Sequence, residues 1–151
     1  LNEIDFARMD DKYIDNENLH IDVVIGPSFD NIDEIVEEVQ KRNLDISLNF
    51  NVNKMSKLMI NSDIAISSGG STLYELAITK TPSLVMLQAE NQVRAAEKMD
   101  SKSIINLGFG DKVTKPKIKE SIVKFIINSK KRKMLAKNNN IICNDFRKEI
   151  L

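Results

Sequence analysis

Six consecutive residues, Ser67, Ser68, Gly69, Gly70, Ser71 and Thr72, carry the densest chemistry in this chain. They place four hydroxyls and two adjacent glycines between a short apolar run (Ile64, Ala65, Ile66) and a helical pattern through Leu73, Leu76 and Ala77. The segment therefore reads as a strand, a tight turn and a helix start. Glycines let a backbone turn sharply and approach a ligand closely, while the first N–H groups of a helix and its positive dipole end face the same space. Such a turn is a cradle for an anion, and a phosphate fits it best.

Several familiar chemistries are excluded by the same residues. The turn is not G-x-x-x-x-G-K-[ST], since no lysine follows, nor G-x-G-x-x-G, since its glycines are adjacent, nor the G-x-S-x-G elbow. A Ser-His-Asp triad would need the chain's one histidine, His20, which stands at the amino end of the first predicted strand and reads as structural. No His, Cys, Asp or Glu cluster has metal-ligand spacing, and no cofactor is implied. Glu75 allows two readings. With Thr72 it spells a T-x-x-E capping box, which would stabilise the helix start by roughly 0.5 to 2 kcal/mol and imply no function. As a carboxylate one turn into a phosphate-binding helix, it could instead accept hydrogen bonds from ribose hydroxyls.

The elements that must position this turn repeat along the chain. Ile21 to Ile25 is a near-continuous apolar run, as expected of a parallel strand buried on both faces, and it stops at Gly26 and Pro27. Asp30 can cap a helix whose Ile32, Ile35, Val36 and Val39 share one face. Ile46, Leu48 and Phe50 alternate as a strand, and Met55, Leu58, Met59 and Ile60 form a short helix. After the glycine turn a helix runs to about Thr79, ahead of Pro82. A buried strand follows over 83–87, a helix over 92–99, a short strand through Ile104, Ile105 and Leu107 ending at Gly108, Phe109 and Gly110, and two helices over 115–128 and 130–148.

This alternation predicts an α/β domain with helices layered on a parallel sheet. Ligands of such sheets bind outside the carboxyl ends of the strands. Three loops of unusual chemistry leave strand carboxyl ends: Gly26, Pro27, Ser28 and Phe29; Ser68 to Thr72; and Gln88, Ala89, Glu90, Asn91 and Gln92. They are predicted to share one site. Taken singly, the first is also a plain turn and the third a polar helix entry.

Composition bounds the reading. The 151 residues, 42% hydrophobic and 29% charged, suit one soluble domain with a sizeable core. Cys143 has no internal partner for a disulfide, and no apolar run approaches the roughly 20 residues of a membrane span. A cytoplasmic protein is expected. The net charge of zero hides a segregation: residues 112–151 hold 12 of the 22 basic and 3 of the 22 acidic residues. The basic residues alternate with Ile118, Ile122, Val123, Phe125, Ile126 and Ile127 at helical spacing. A solvated helix face packing against an acidic body is preferred over nucleic-acid or membrane-surface binding. Residues 1–18 lack a clear period and read as an irregular segment, leaving 19–151 as the domain and 115–151 as its carboxy-terminal helices.

Three segments, VVIGPSF (23–29), MSKLMINSDIAISSGGSTLYELAITKTPSLV (55–85) and AENQ (89–92), together resemble the carboxy-terminal domain of the PseG/SpsG family. These are nucleotide-sugar hydrolases of pseudaminic acid synthesis and relatives in surface or spore-coat polysaccharide synthesis, akin to MurG-like glycosyltransferases. The resemblance covers about residues 20–110 and implies a Rossmann-like, three-layer parallel-sheet domain forming the carboxy-terminal half of a GT-B fold. It implies that Ser68, Gly69, Gly70, Ser71 and Thr72 hold the diphosphate of a UDP-linked amino sugar or other nucleotide sugar, and that Glu75 binds ribose. Gly26, Pro27, Ser28 and Phe29 would lie by the base, and Asn91 and Gln92 by the phosphates or sugar.

The family's general base is a histidine on a glycine-rich loop of an amino-terminal domain that this chain does not contain, and His20 does not inherit that role. The chain is expected to be a fragment that binds without turnover and draws its catalytic residue from the missing domain. A MurG-like transferase donor domain and a non-enzymatic binding module are the alternative readings.

Overall fold

The computed structural model describes residues 19–100 and 102–150, with the backbone alone described from residue 140 onward. The predicted irregular segment 1–18 lies outside them. The described chain alternates strand and helix as its sequence pattern requires, in the order β1 (His20–Ile25), α1 (Ile32–Gln40), β2 (Asp45–Phe50), α2 (Met55–Asn61), β3 (Ala65–Ser68), α3 (Thr72–Ile78), β4 (Ser83–Leu87), α4 (Val93–Met99), β5 (Ile104–Phe109), α5 (Lys115–Ile127) and α6 (Ser129–Ile150). A 3-10 turn, Glu90–Gln92, leads into α4. All strand pairings are parallel, so the fold is α/β and Rossmann-like. It divides into two compact units, one holding the described residues up to Met55 and the other those from Ser56 onward.

In the first unit β1 and β2 pair in register from His20 opposite Asp45 to Ile25 opposite Phe50. The prediction that β1 is buried on both faces is corrected here. Its residues alternate between exposed and half-buried until Ile25, the one buried position, and Val24 is 41% exposed. The cause lies in the layers this unit supplies: one neighbouring strand, and a helix α1 that buries no residue of its own. The expected Asp30 cap is also absent. Asn31 occupies the N-cap of α1 and makes no side-chain cap hydrogen bond.

The second unit is built around β4, the middle strand of the order β3-β4-β5. Every residue of β4 is buried, as a continuous apolar run between two partners demands. Leu73 and Ala77 of α3, Val85 and Leu87 of β4, Ala96 and Met99 of α4, and Ile104 of β5 form one core, with Val93 and Phe109 packed against it. Burying the Leu, Val, Met and Ile side chains among these contributes roughly 1.5 to 3 kcal/mol each. Thr81, 2% exposed, ties this sheet to α2 through a 2.7 Å hydrogen bond from its hydroxyl to the Met59 carbonyl. α6 packs on α3 and α5, burying Leu135, while α5 buries Ile122 and Phe125. No helix of the described residues is long and apolar enough to cross a membrane.

Candidate functional site

The glycine turn stands where β3 ends and α3 begins, at the carboxyl edge of the three-stranded sheet. Gly70 adopts φ +96°, the left-handed region where a Cβ is strained. Gly69 is required for a different reason. A Cβ built there would stand 2.7 Å from Gln92 Cβ, 2.8 Å from Gln92 Oε1 and 2.9 Å from Leu87 Cδ2. Two of the three predicted loops are thereby brought together: the 3-10 turn after β4 lays Gln92 directly against the glycines, with its Nε2 lying 3.8 Å from a Cβ placed on Gly70.

The turn closes through short-range bonds, the Leu73 N–H donating to the Gly70 carbonyl (3.1 Å) and the Tyr74 N–H to the Ser71 carbonyl (3.0 Å). The opening N–H groups of a helix have no intrahelical acceptor. α3 has seven residues, so its dipole is short, and an anion here would depend on the local N–H and O–H groups more than on the axis. Ser67 donates its hydroxyl to the Ser68 carbonyl at 3.0 Å. The hydroxyls of Ser68, Ser71 and Thr72 take no hydrogen-bond partner among the described residues.

The structure corrects one reading of Glu75. Ser71, with helical φ −59° and ψ −29°, is the N-cap and makes no side-chain cap bond, and Thr72 is already the first helical residue. Glu75 therefore stands one position beyond the N3 place a capping box needs. Its side chain is exposed, so the cap gives no account of it.

Asn91 is exposed and Gln92 half-buried on the 3-10 turn. Gln92 Oε1 accepts the Gln88 N–H at 2.9 Å, which holds the 88–92 loop shut. Gly26, Pro27 and Ser28 are exposed in the first unit, and the Phe29 N–H closes that turn on the Gly26 carbonyl at 3.2 Å.

A third loop of the second unit belongs at this edge and was read from sequence only as a strand end. Between β4 and β5 the register shifts: Val85 faces Asn106, yet Leu87 faces Phe109. Gly108 lies within the additional step of β5, at φ +89°. The Gly110 N–H then donates to the Leu87 carbonyl at 2.9 Å, and Lys112 Nζ lies 5.0 Å over the Phe109 ring, a cation–π contact. Two glycines flanking Phe109 just after an apolar run were the available signal for this bend.

His20, at the opposite end of β1 from its glycine turn, bonds Asp45 from Nδ1 at 2.8 Å and has Asp22 3.6 Å from Nε2. The Asp45 hydrogen bond raises its pKa from the ordinary 6.5. Its role is a cross-strand clasp, in line with a structural histidine. Among the described residues no group of three or more His, Cys, Asp or Glu could hold a metal ion.

No family model matches the chain. It is similar to the pseudaminic acid cytidylyltransferase and UDP-2,4-diacetamido-2,4,6-trideoxy-beta-L-altropyranose hydrolase of Helicobacter pylori, at 30% identity over 112 residues, covering 62% of this chain and 22% of that protein. The chain thus spans about a fifth of the length of the relative it matches.

Proposed function

We propose that the second unit binds the nucleotide diphosphate of a nucleotide-linked sugar, as the UDP-sugar-binding part of a PseG/SpsG-like hydrolase whose catalytic residue lies outside this chain. The observation that carries this reading is the glycine turn itself. Among the described residues, the hydroxyls of Ser68, Ser71 and Thr72 stand without hydrogen-bond partners beside a glycine turn at a strand's carboxyl end. The similarity to a protein named as a hydrolase of a UDP-linked diacetamido sugar supports it from a second direction.

In this reading the hydroxyls and opening N–H groups of residues 68–72 cover the two phosphates, and Glu75, exposed and outside any cap, accepts the ribose hydroxyls. Asn91 and Gln92 face the phosphates or sugar. The chemical contribution is electrostatic. Fixed dipoles aimed at a departing diphosphate stabilise the charge that develops as the sugar bond breaks, without supplying acid or base.

Calorimetric titration with UDP and with other nucleotides tests the proposal. UDP is expected to bind in the micromolar range. Glu75→Gln is expected to weaken it by about 10- to 100-fold, the worth of hydrogen bonds to a charged group, with the melting temperature unchanged. Failure of every nucleotide to bind would overturn the site. A Glu75→Gln loss of stability with unchanged binding would restore a purely structural role.

A further inference from the structure

The last two helices carry an exposed basic face that the nucleotide reading does not use. Between Glu120 and Asp145 the chain has six basic residues, Lys124, Lys130, Lys131, Arg132, Lys133 and Lys137, and no acidic one. On α6, Lys130, Lys133, Met134 and Lys137 follow the i, i+3, i+4, i+7 spacing of one helix face and all are exposed. Leu135 and Asn139, buried, occupy the opposite face.

α6 packs on α3 and α5 and leaves this basic face in solvent. Lys124 pairs with Glu120 on its own helix, and Lys130, Lys133 and Lys137 have no carboxylate partner among the described residues. The corner they surround is fixed by packing and by Arg132, whose guanidinium donates to the carbonyls of Phe125 (2.9 Å) and Ile126 at the end of α5. Two aliphatic side chains also stand in water here: Ile127, the last residue of α5, is 57% exposed, and Met134, inside the lysine stripe, is 42% exposed.

Lysines alone would suit any polyanion, and the aliphatic side chains among them decide between partners. At a lipid surface the ammonium groups meet anionic headgroups while Ile127 and Met134 enter the boundary with the acyl chains. A nucleic acid gains nothing from them, and the described aromatic residue of these helices, Phe125, is 2% exposed and cannot stack a base. We propose that the face formed by Lys130, Lys133, Met134 and Lys137, with Ile127 beside it, docks the chain peripherally on an anionic phospholipid surface.

Vesicle flotation of the 151-residue chain tests this, using phosphatidylcholine with and without phosphatidylglycerol. Binding is expected only with phosphatidylglycerol present and should fade as salt rises. Each lysine near the surface contributes about fivefold, so the triple variant K130Q/K133Q/K137Q should bind about 100-fold more weakly. Met134→Gln should weaken binding at unchanged charge. Both variants alter exposed side chains and should keep the parent melting temperature. Absence of phosphatidylglycerol-dependent binding overturns the proposal. So does tighter binding to duplex DNA of random sequence at equal salt, unaffected by Met134→Gln, which would assign the face to nucleic acid.

Discussion

β1 and β4 are written in the same alphabet and come to opposite ends. Val23, Val24 and Ile25 in one strand and Leu84, Val85, Met86 and Leu87 in the other are continuous apolar runs ending at a polar or glycine-containing loop. Yet β4 is buried at every residue and β1 at Ile25 alone. The same contrast holds for the loops that follow the strands. Gly69 is wedged against Leu87 and Gln92, whereas a Cβ on Gly26 would meet nothing within 4 Å. An apolar run states that a strand can be covered; how many layers its unit supplies decides whether it is. β4 has strands on both sides and helices contributing to one core, while β1 has one partner strand in its own unit and a helix without a buried residue.

The sharpest way to break this comparison is to truncate both strands. Leu84→Ala, at a residue with no exposed surface, should cost about 2 to 5 kcal/mol by chemical denaturation, against under about 1 kcal/mol for Val24→Ala. Equal costs would mean that the burial difference does not govern stability. The glycines come next. Gly69→Ala must push aside Gln92 or Leu87 and should cost about 1 to 3 kcal/mol, while Gly26→Ala, with open space and no left-handed φ, should change stability by less than about 0.5 kcal/mol. A tolerant Gly69 would show that the 88–92 loop yields and is not a wall.

The smallest effect belongs to His20, and its reading is a slope. Its folded pKa is raised, chiefly by the Asp45 hydrogen bond, so its contribution is fully present below the unfolded value of 6.5 and is lost as pH rises through the folded one. The parent should therefore lose stability relative to His20→Gln as pH rises above about 6.5, read as denaturation midpoints at matched ionic strength. The group is exposed, and parallel pH profiles would remove the clasp from the account.

Much of this was legible in local pattern. The strand-turn-helix around residues 65–78, the fully apolar β4 and the amphipathic last helices follow from periodicity and from glycine and proline placement. What escaped was set by tertiary context. The Thr72 and Glu75 spacing spells a capping box, but Ser71 turns helical one residue earlier and shifts Glu75 out of position. The bend at Gly108 exists because β5 carries one residue more than β4 over the same span, and register between strands is not written in either strand alone. Gln92 looked like a polar helix entry, and its contact with Gly69 depends on how the loop after β4 folds back.

That fold-back gives Gln92 a polarity. Its Oε1 is already engaged by the Gln88 N–H, so the protein itself decides which way round the amide sits, and the nitrogen end is the one presented beside Gly70. Beside Gly70 the amide nitrogen offers N–H donors. An atom that takes up those donors must bring a lone pair, a condition that oxygens of phosphates, hydroxyls and carbonyls meet and an ammonium group does not.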